Sequence, residues 1–349
     1  MVTVLLSLLL LLPLAGCGEI DRRQKFVAYE YRYFDTVTQV VGYAETKEEF
    51  DAVCATVFAR LESYHKAFDI YYSYSTPAEG APLSGLRDVN RAIARGQTTV
   101  AVSDTLYDLL EFSLRMHEAT SGRTNVAMGA VLKLWHDCRA DAESDPLSAR
   151  LPRREALLDA ARHVDIGCVT LKDGTVTVTD PALSFDVGAI AKGYAAERIA
   201  EELEDAGITG YLLNLGGNVR AVGAPPGGTW TVGIENPDQA SEQAYVAYLS
   251  ISDGAVVISG SYQRYYVVDG KRYHHIIDPD TLMPEDRYRS VAVVAEDSGM
   301  GDAFSTALFN LDLSAGMALV EQTPGIEAFW VLPDGTTHQS SGFEDFVKK

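Results

Sequence analysis

A chain of 349 residues with 47% hydrophobic and 22% charged residues can bury a sizeable core and has the composition of an ordinary globular protein. Its formal net charge of −20 excludes the basic footprint of a nucleic-acid binder. The acidity reads as solubility and does not exclude an anionic ligand, because a local cluster or a metal overrides net charge.

The chain opens MVTVLLSLLLLLPLAGCGE. The apolar run is shorter than the roughly 20 residues that span a bilayer, and Leu14, Ala15 and Gly16 stand directly before Cys17. This resembles a bacterial lipoprotein signal over residues 1–16, although no Lys or Arg precedes the apolar run. Cleavage before Cys17 would leave a lipidated thiol, a tether over 17–30 and one domain over 31–349. The expected location is the outer face of the cytoplasmic membrane, or its periplasmic side in a two-membrane cell. An uncleaved anchor helix is the competing reading, opposed by Pro13 and the shortness of the run. The other cysteines, Cys54, Cys138 and Cys168, are too scattered for a disulfide framework or a zinc site.

Residues 33–44 are β-branched and partly alternating, which predicts a strand. Over 47–68, Phe50, Val53, Cys54, Val57, Phe58, Leu61, Tyr64 and Phe68 recur at helical spacing, with His65 beside the stripe as a packed, hydrogen-bonded histidine. Pro77, Gly80, Pro82, Gly85 and Gly96 mark 74–98 as loop. Ser103 caps a predicted helix to about His117. Residues 141–152 read as a polar loop before a helix at 153–162, and Lys172-Asp173-Gly174 turns a hairpin. Gly188 to Asp205 is a predicted helix ended by Gly207. Strands follow at 211–215, 229–235, 245–252, 256–262, 264–269, 272–277 and 290–296, then helices at 300–311 and 314–322 and a hairpin at Pro333-Asp334-Gly335. Helices and strands are segregated, so the expected class is α+β, with largely antiparallel or mixed sheets.

Four segments could carry chemistry. In GDAFSTALFNL, Asp302 and Thr306 share a helix face with Ser305 beside them, a hard-oxygen set that suits Mg²⁺; an N-terminal cap explains Asp302 as well. In SFDVGAIAKGYAAE, a Gly/Ala-rich helix start with Lys192 in its first turn can hold phosphate; a plain strand–turn–helix capped by Asp186 is the alternative. Gly216-Gly217 is either a hairpin turn or a set of N–H groups offered to a ligand. In GSYQRYYVVDGKRYHHIIDP, adjacent strand residues face opposite ways, so His274 and His275 cannot both enter one site. Tyr262, Tyr265 and Tyr266 cannot all face one side of the hairpin, and Asp278 is placed to cap a turn.

Together, in this order, FDTVT (34–38), FDVGAIAKGYAAE (185–197), LNLGGN (213–218), the histidine hairpin and GDAFSTALF (301–309) make the chain resemble the ApbE flavin transferases, the FAD:protein FMN transferases, from about Phe34 to the C-terminus. The resemblance implies an α+β fold of that family and transfer of FMN from FAD to a Thr or Ser hydroxyl of a flavoprotein, with Mg²⁺ required and AMP released. It implies metal ligation by Asp302, Thr306, Ser305 and the Ala189 carbonyl. It implies FAD contacts at Phe34, Tyr71, Asn125, Val126, Ala127, Asp186, Lys192 and Ile277, and His275 as the base. Asn125 replaces an Asp common in the family, and some members carry Glu where Lys192 stands. The implied partners are FAD, a membrane through the lipid, and an acceptor such as a redox-pump subunit or a secreted reductase. The rival readings are an FAD diphosphatase, with water as nucleophile, and a non-catalytic FAD-binding surface lipoprotein.

Overall fold

The structure, a computed structural model, describes residues 21–74 and 80–349. Cys17 and the 1–16 leader lie outside the described residues. The first strand, β1 (Gln24–Glu30), pairs with β2 (Thr38–Ala44). The strand expected from residue 33 starts late because Phe34 and Asp35 turn the chain in the left-handed region, at φ 56° and 51°. Helix α1 (Lys47–Phe68) matches its apolar stripe, and Thr46 and Glu49 close a reciprocal capping box.

The 74–98 stretch is not all loop. Helix α2 (Leu86–Ala94) lies in it, started by Gly85 with no side-chain cap. After β3 (Thr99–Ala101) comes α3 (Asp104–Ala119), capped by Ser103 as expected. Helix α4 (Gly129–Ser144) has no side-chain cap either and occupies the start of the expected 141–152 loop. Helix α5 (Arg154–Ala160) precedes β4 (Val169–Lys172) and β5 (Thr175–Val178), which turn at Asp173-Gly174. Helix α6 (Ala191–Asp205) starts three residues later than expected.

Next come β6 (Tyr211–Leu215), β7 (Asn218–Val222), β8 (Trp230–Glu235), β9 (Tyr245–Ile251) and β10 (Gly254–Gly260). The hairpin of β11 (Tyr265–Val268) and β12 (Lys271–His274) leads to β13 (Ser290–Ala295). Helices α7 (Ser298–Phe309) and α8 (Leu313–Glu321) and strands β14 (Ile326–Val331) and β15 (Thr337–Gln339) finish the fold.

Eight strands form one sheet in the order β1-β2-β6-β7-β10-β13-β14-β15, antiparallel throughout. Side chains alternate between its faces. Val41, Val219, Ala221, Val256, Ala292 and Val294 pack under the β8–β9 hairpin. The other face packs on α1 and α6 through Val40, Leu213 and Leu215, and on α7 and α8 through Val291, Val293 and Trp330. Beyond α6 a second core joins α2, α3 and the β3-β5-β4 sheet to the segment leading into α6. The fold is α+β, with helices grouped on one sheet face. Among the described residues no helix is long and apolar enough to cross a membrane.

Candidate active site

Two segments wall the site where α6 begins. Asn90 of α2 accepts a hydrogen bond from the Phe185 N–H and donates to the Phe185 carbonyl, both at 2.8 Å. On the opposite edge, Asp186 N–H donates to the Val126 carbonyl at 2.8 Å and Gly129 N–H to the Ser184 carbonyl at 2.9 Å. Residues 184–186 are thus held like a short strand between a side-chain amide and a backbone. Asp186 does not cap α6, whose cap position is Ile190; its carboxylate accepts from Gly188 N–H at 2.9 Å. Burial pushes the Asp186 carboxyl up, opposed by that N–H and by His136, Arg139 and Arg264.

At the helix start, Gly193 N–H donates to Asp302 Oδ2 at 2.9 Å, and Lys192 Nζ lies 4.0 Å from the same oxygen. A carboxylate from α7 therefore satisfies one of the free N–H groups of α6, at the positive end of its dipole. The cap of α7 is Asp297, which accepts from Met300 N–H, so the cap reading of Asp302 is overturned. Asp302 is 4% exposed, and burial pushes its carboxyl up against the pull of Lys192 and Gly193.

The other expected cation ligands differ in what they offer. Thr306, four residues after Asp302, and Ala189, in the turn before α6, are half-buried. Ser305 is fully buried and committed: its hydroxyl donates to the Asp302 carbonyl at 2.9 Å and pairs with Ser259 at 2.8 Å, so it is not a free ligand. Among the described residues no three His, Cys, Asp or Glu side chains cluster as a metal site. The set is one carboxylate with neutral oxygens. That chemistry fits a hard ion that keeps several waters, as Mg²⁺ does, and not zinc. The amide of Asn218 also stands against Asp302, and its Oδ1 is buried without a partner.

The two histidines divide as their alternation requires. Strand β12 ends at His274, which is 4% exposed, accepts from Ile276 N–H at Nδ1 (3.2 Å) and donates from Nε2 to the Glu285 carbonyl (3.1 Å). His275 faces the other way. Its Nδ1 lies 3.2 Å from the Arg264 carbonyl, which assigns the proton to Nδ1 and leaves Nε2 as the acceptor. The ring is solvent-exposed, with protein packed around it on several sides. Desolvation pushes its pKa well below the ordinary value, and Arg264, His274, Lys192 and Arg139 act in the same direction.

The rim is aromatic and basic. Tyr71 stacks on His136 at 4.2 Å between centroids and 25° between planes. Arg139, one helical turn on, lies 3.3 Å from His136 Nδ1. Arg264 reaches Asp35 at 3.1 Å. Phe34 is half-buried, edge-on to His65 at 5.6 Å, and its N–H donates to His65 Nδ1. His65 is the packed, bonded histidine expected.

Four expected FAD contacts have side chains turned elsewhere. Val126 and Ala127 are 2% and 0% exposed in the second core. Asn125 donates to the Val164 carbonyl and accepts from Ala127 N–H. Ile277 is buried with Met128, Trp135 and Tyr266. These positions shape the wall from behind, because 125–129 must pair with 184–186. Tyr266 is buried with its hydroxyl on the Arg150 carbonyl, and Arg272 covers Tyr265 at 4.7 Å. Gly217 N–H donates to Asn214 Oδ1, so the Gly-Gly pair is a hairpin turn. Asp278 caps its turn, accepting from Asp280 and Thr281 N–H.

Sequence reasoning missed Asn90, His136, Arg139 and Asn218 as site residues. His136 and Arg139 are three apart, a same-face spacing legible only once α4 is recognised.

A basic helix start facing a buried carboxylate, in an α+β fold, is the kind of place that holds an anionic ligand. The sequence profile of the ApbE family matches residues 34–330, and the chain belongs to that family. It is 36% identical over 284 residues to the FAD:protein FMN transferase of Klebsiella pneumoniae, covering 80% of this chain and 82% of that protein. It is 35% identical over 270 residues to the enzyme of the same name from Treponema pallidum, covering 72% of each. The crystal structure of the ApbE protein from Thermotoga maritima superposes with a TM-score of 0.78 at 28% identity, over 93% of this chain and all of that one.

Proposed function

We propose that the chain transfers the FMN half of FAD to a threonine or serine hydroxyl of a partner flavoprotein and releases AMP. The observation that carries this is the start of α6, where Lys192 lies 4.0 Å from the buried Asp302 carboxylate and the Gly193 N–H donates to it at 2.9 Å. The names of the 35% and 36% identical relatives support the same reaction.

In this mechanism the acceptor hydroxyl oxygen attacks the phosphorus on the FMN side of the diphosphate. Its proton passes to Nε2 of His275, whose ring is oriented by the Arg264 carbonyl at Nδ1. The bond from that phosphorus to the bridging oxygen breaks, and this oxygen leaves as part of AMP. Lys192 and the N–H groups opening α6 face the diphosphate charge, and the stacked Tyr71–His136 pair offers a face to a flat ring. Asp302, Thr306 and the Ala189 carbonyl would hold Mg²⁺, which neutralises charge on the diphosphate when bound. Positioning and electrostatics are most of what phosphoryl transfer asks of a protein.

Incubation with FAD, Mg²⁺ and a candidate acceptor, followed by intact-protein mass spectrometry, tests the proposal: a mass gain equal to FMN is expected. FMN release without labelling would instead favour the diphosphatase reading, which the solvent access of His275 supports.

The proposal extends to location. Lipidation at Cys17 would place the domain close to a bilayer, because the span from 17 to β1 at Gln24 reaches at most about 25 Å when extended. Acceptors would then be flavin-carrying redox-pump subunits or reductases on the same side. Cys17→Ser should move the protein to the soluble fraction; continued membrane association would count against the tether.

A further inference from the structure

We infer that Asn218 is a further oxygen donor to the divalent cation of this site. The inference rests on the reading that Asp302 and Thr306 hold such an ion. Asn218 opens β7 and points with Arg220 toward the helices, because Val219 and Ala221 belong to the opposite core. Its cross-strand neighbour on β10 is Val257, whose Cγ2 would lie 2.8 Å from a methyl group placed on Gly301. Helix α7 therefore crosses directly over this pair, one residue before Asp302.

Asn218 is 2% exposed. Its amide stands against the Asp302 carboxylate, while Oδ1 has no hydrogen-bond partner in the protein. Buried amide oxygens are seldom left unpaired, and one beside a cation-binding carboxylate calls for an explanation. A carboxamide oxygen is a hard, neutral donor of the same kind as the Ala189 carbonyl and the Thr306 hydroxyl. It adds a ligand without a second buried charge beside Asp302. The competing explanation is a single ordered water bonded to Oδ1.

The test is Mn²⁺ binding to the full chain without FAD, read from the electron paramagnetic resonance signal of free Mn²⁺, for the wild type, Asn218→Leu and Asn218→Asp. Leucine nearly matches the volume and removes the unpaired acceptor, so the melting temperature in EDTA should hold or rise. Mn²⁺ affinity should fall about tenfold or more, the scale seen when groups supporting a metal site are removed. Asn218→Asp keeps an oxygen in place and should bind Mn²⁺ at least as tightly as the wild type. Unchanged Mn²⁺ affinity in Asn218→Leu, or a tenfold loss in Asn218→Asp, overturns the inference and leaves the parent reading intact. A wild type that binds no Mn²⁺ overturns both.

Discussion

Gly193 and Asp302 touch across two helices. The Gly193 N–H donates to the carboxylate at 2.9 Å, and a methyl group on Gly193 would come 2.5 Å from the Asp302 Cβ and clash with the Ser298 carbonyl. The absent side chain is what lets the start of α6 receive a carboxylate from α7.

Gly193→Ala should therefore cost about 1–3 kcal/mol or more, since overpacking forces the helices apart. It should also weaken divalent-cation binding by displacing Asp302. Urea denaturation and Mn²⁺ titration check the two effects, and a variant of wild-type stability would show that the helices slide apart freely.

Asp302→Asn keeps an acceptor for Gly193 and removes the charge. Flavin transfer should fall on the order of 10²-fold or more, the scale for losing one electrostatic stabiliser of a transition state. The fold should survive, because a buried carboxylate is itself costly. Rates measured over a range of Mg²⁺ should show no rescue at high concentration.

His275→Gln should lower the rate about 10²- to 10⁴-fold, the usual worth of a general base. In the wild type the acid limb of kcat/KM should lie below pH 6.5, because the folded ring resists protonation. The same shift makes a stability prediction. Below pH 6.5 the unfolded chain takes up a proton that the native ring refuses, so stability falls with pH down to the lowered native pKa. His65, His136 and His274 are lowered by burial too and add to this loss. Denaturant midpoints at pH 7.5 and 5.5 should differ less in His275→Gln than in the wild type.

Arg220 is 5% exposed and pairs with Glu197 at 2.9 Å, Glu204 at 3.1 Å and Asp253 at 2.7 Å. Glu197 also accepts from Ser298 N–H, the first residue of α7. Arg220→Leu would leave Glu197 buried and uncompensated, at a cost of about 3–5 kcal/mol. Equilibrium denaturation measures this directly, and a cost under about 1 kcal/mol would mean that the cluster is solvated.

What the sequence made legible follows from what its local signals encode. Helix α1 was legible at both ends because its apolar stripe runs unbroken from Phe50 to Phe68. Helices α2 and α4 went unseen because Gly85 and Met128 make no side-chain cap, and glycines and prolines crowd the approach to α2. Strand β7 was not bounded from sequence, because its inward-facing Asn218 and Arg220 put polar residues where a core-facing strand position would be apolar; only the partners from α6 and α7 make them tenable there. The assignment of His275 to the cleft needed the end of β12, which alternation alone does not give. The turn of Val126, Ala127 and Ile277 into the cores depends on long-range pairing that no local pattern reports.

The grip of Asn90 on Phe185 has a last consequence. The far edge of residues 184–186 is held by backbone rungs to 126–129, but on the α2 side one carboxamide does that task for the peptide just before Asp186. The α2 edge of this wall thus depends on one removable side chain, and drift at position 90 would retune ligand preference while every residue facing the ligand stayed the same.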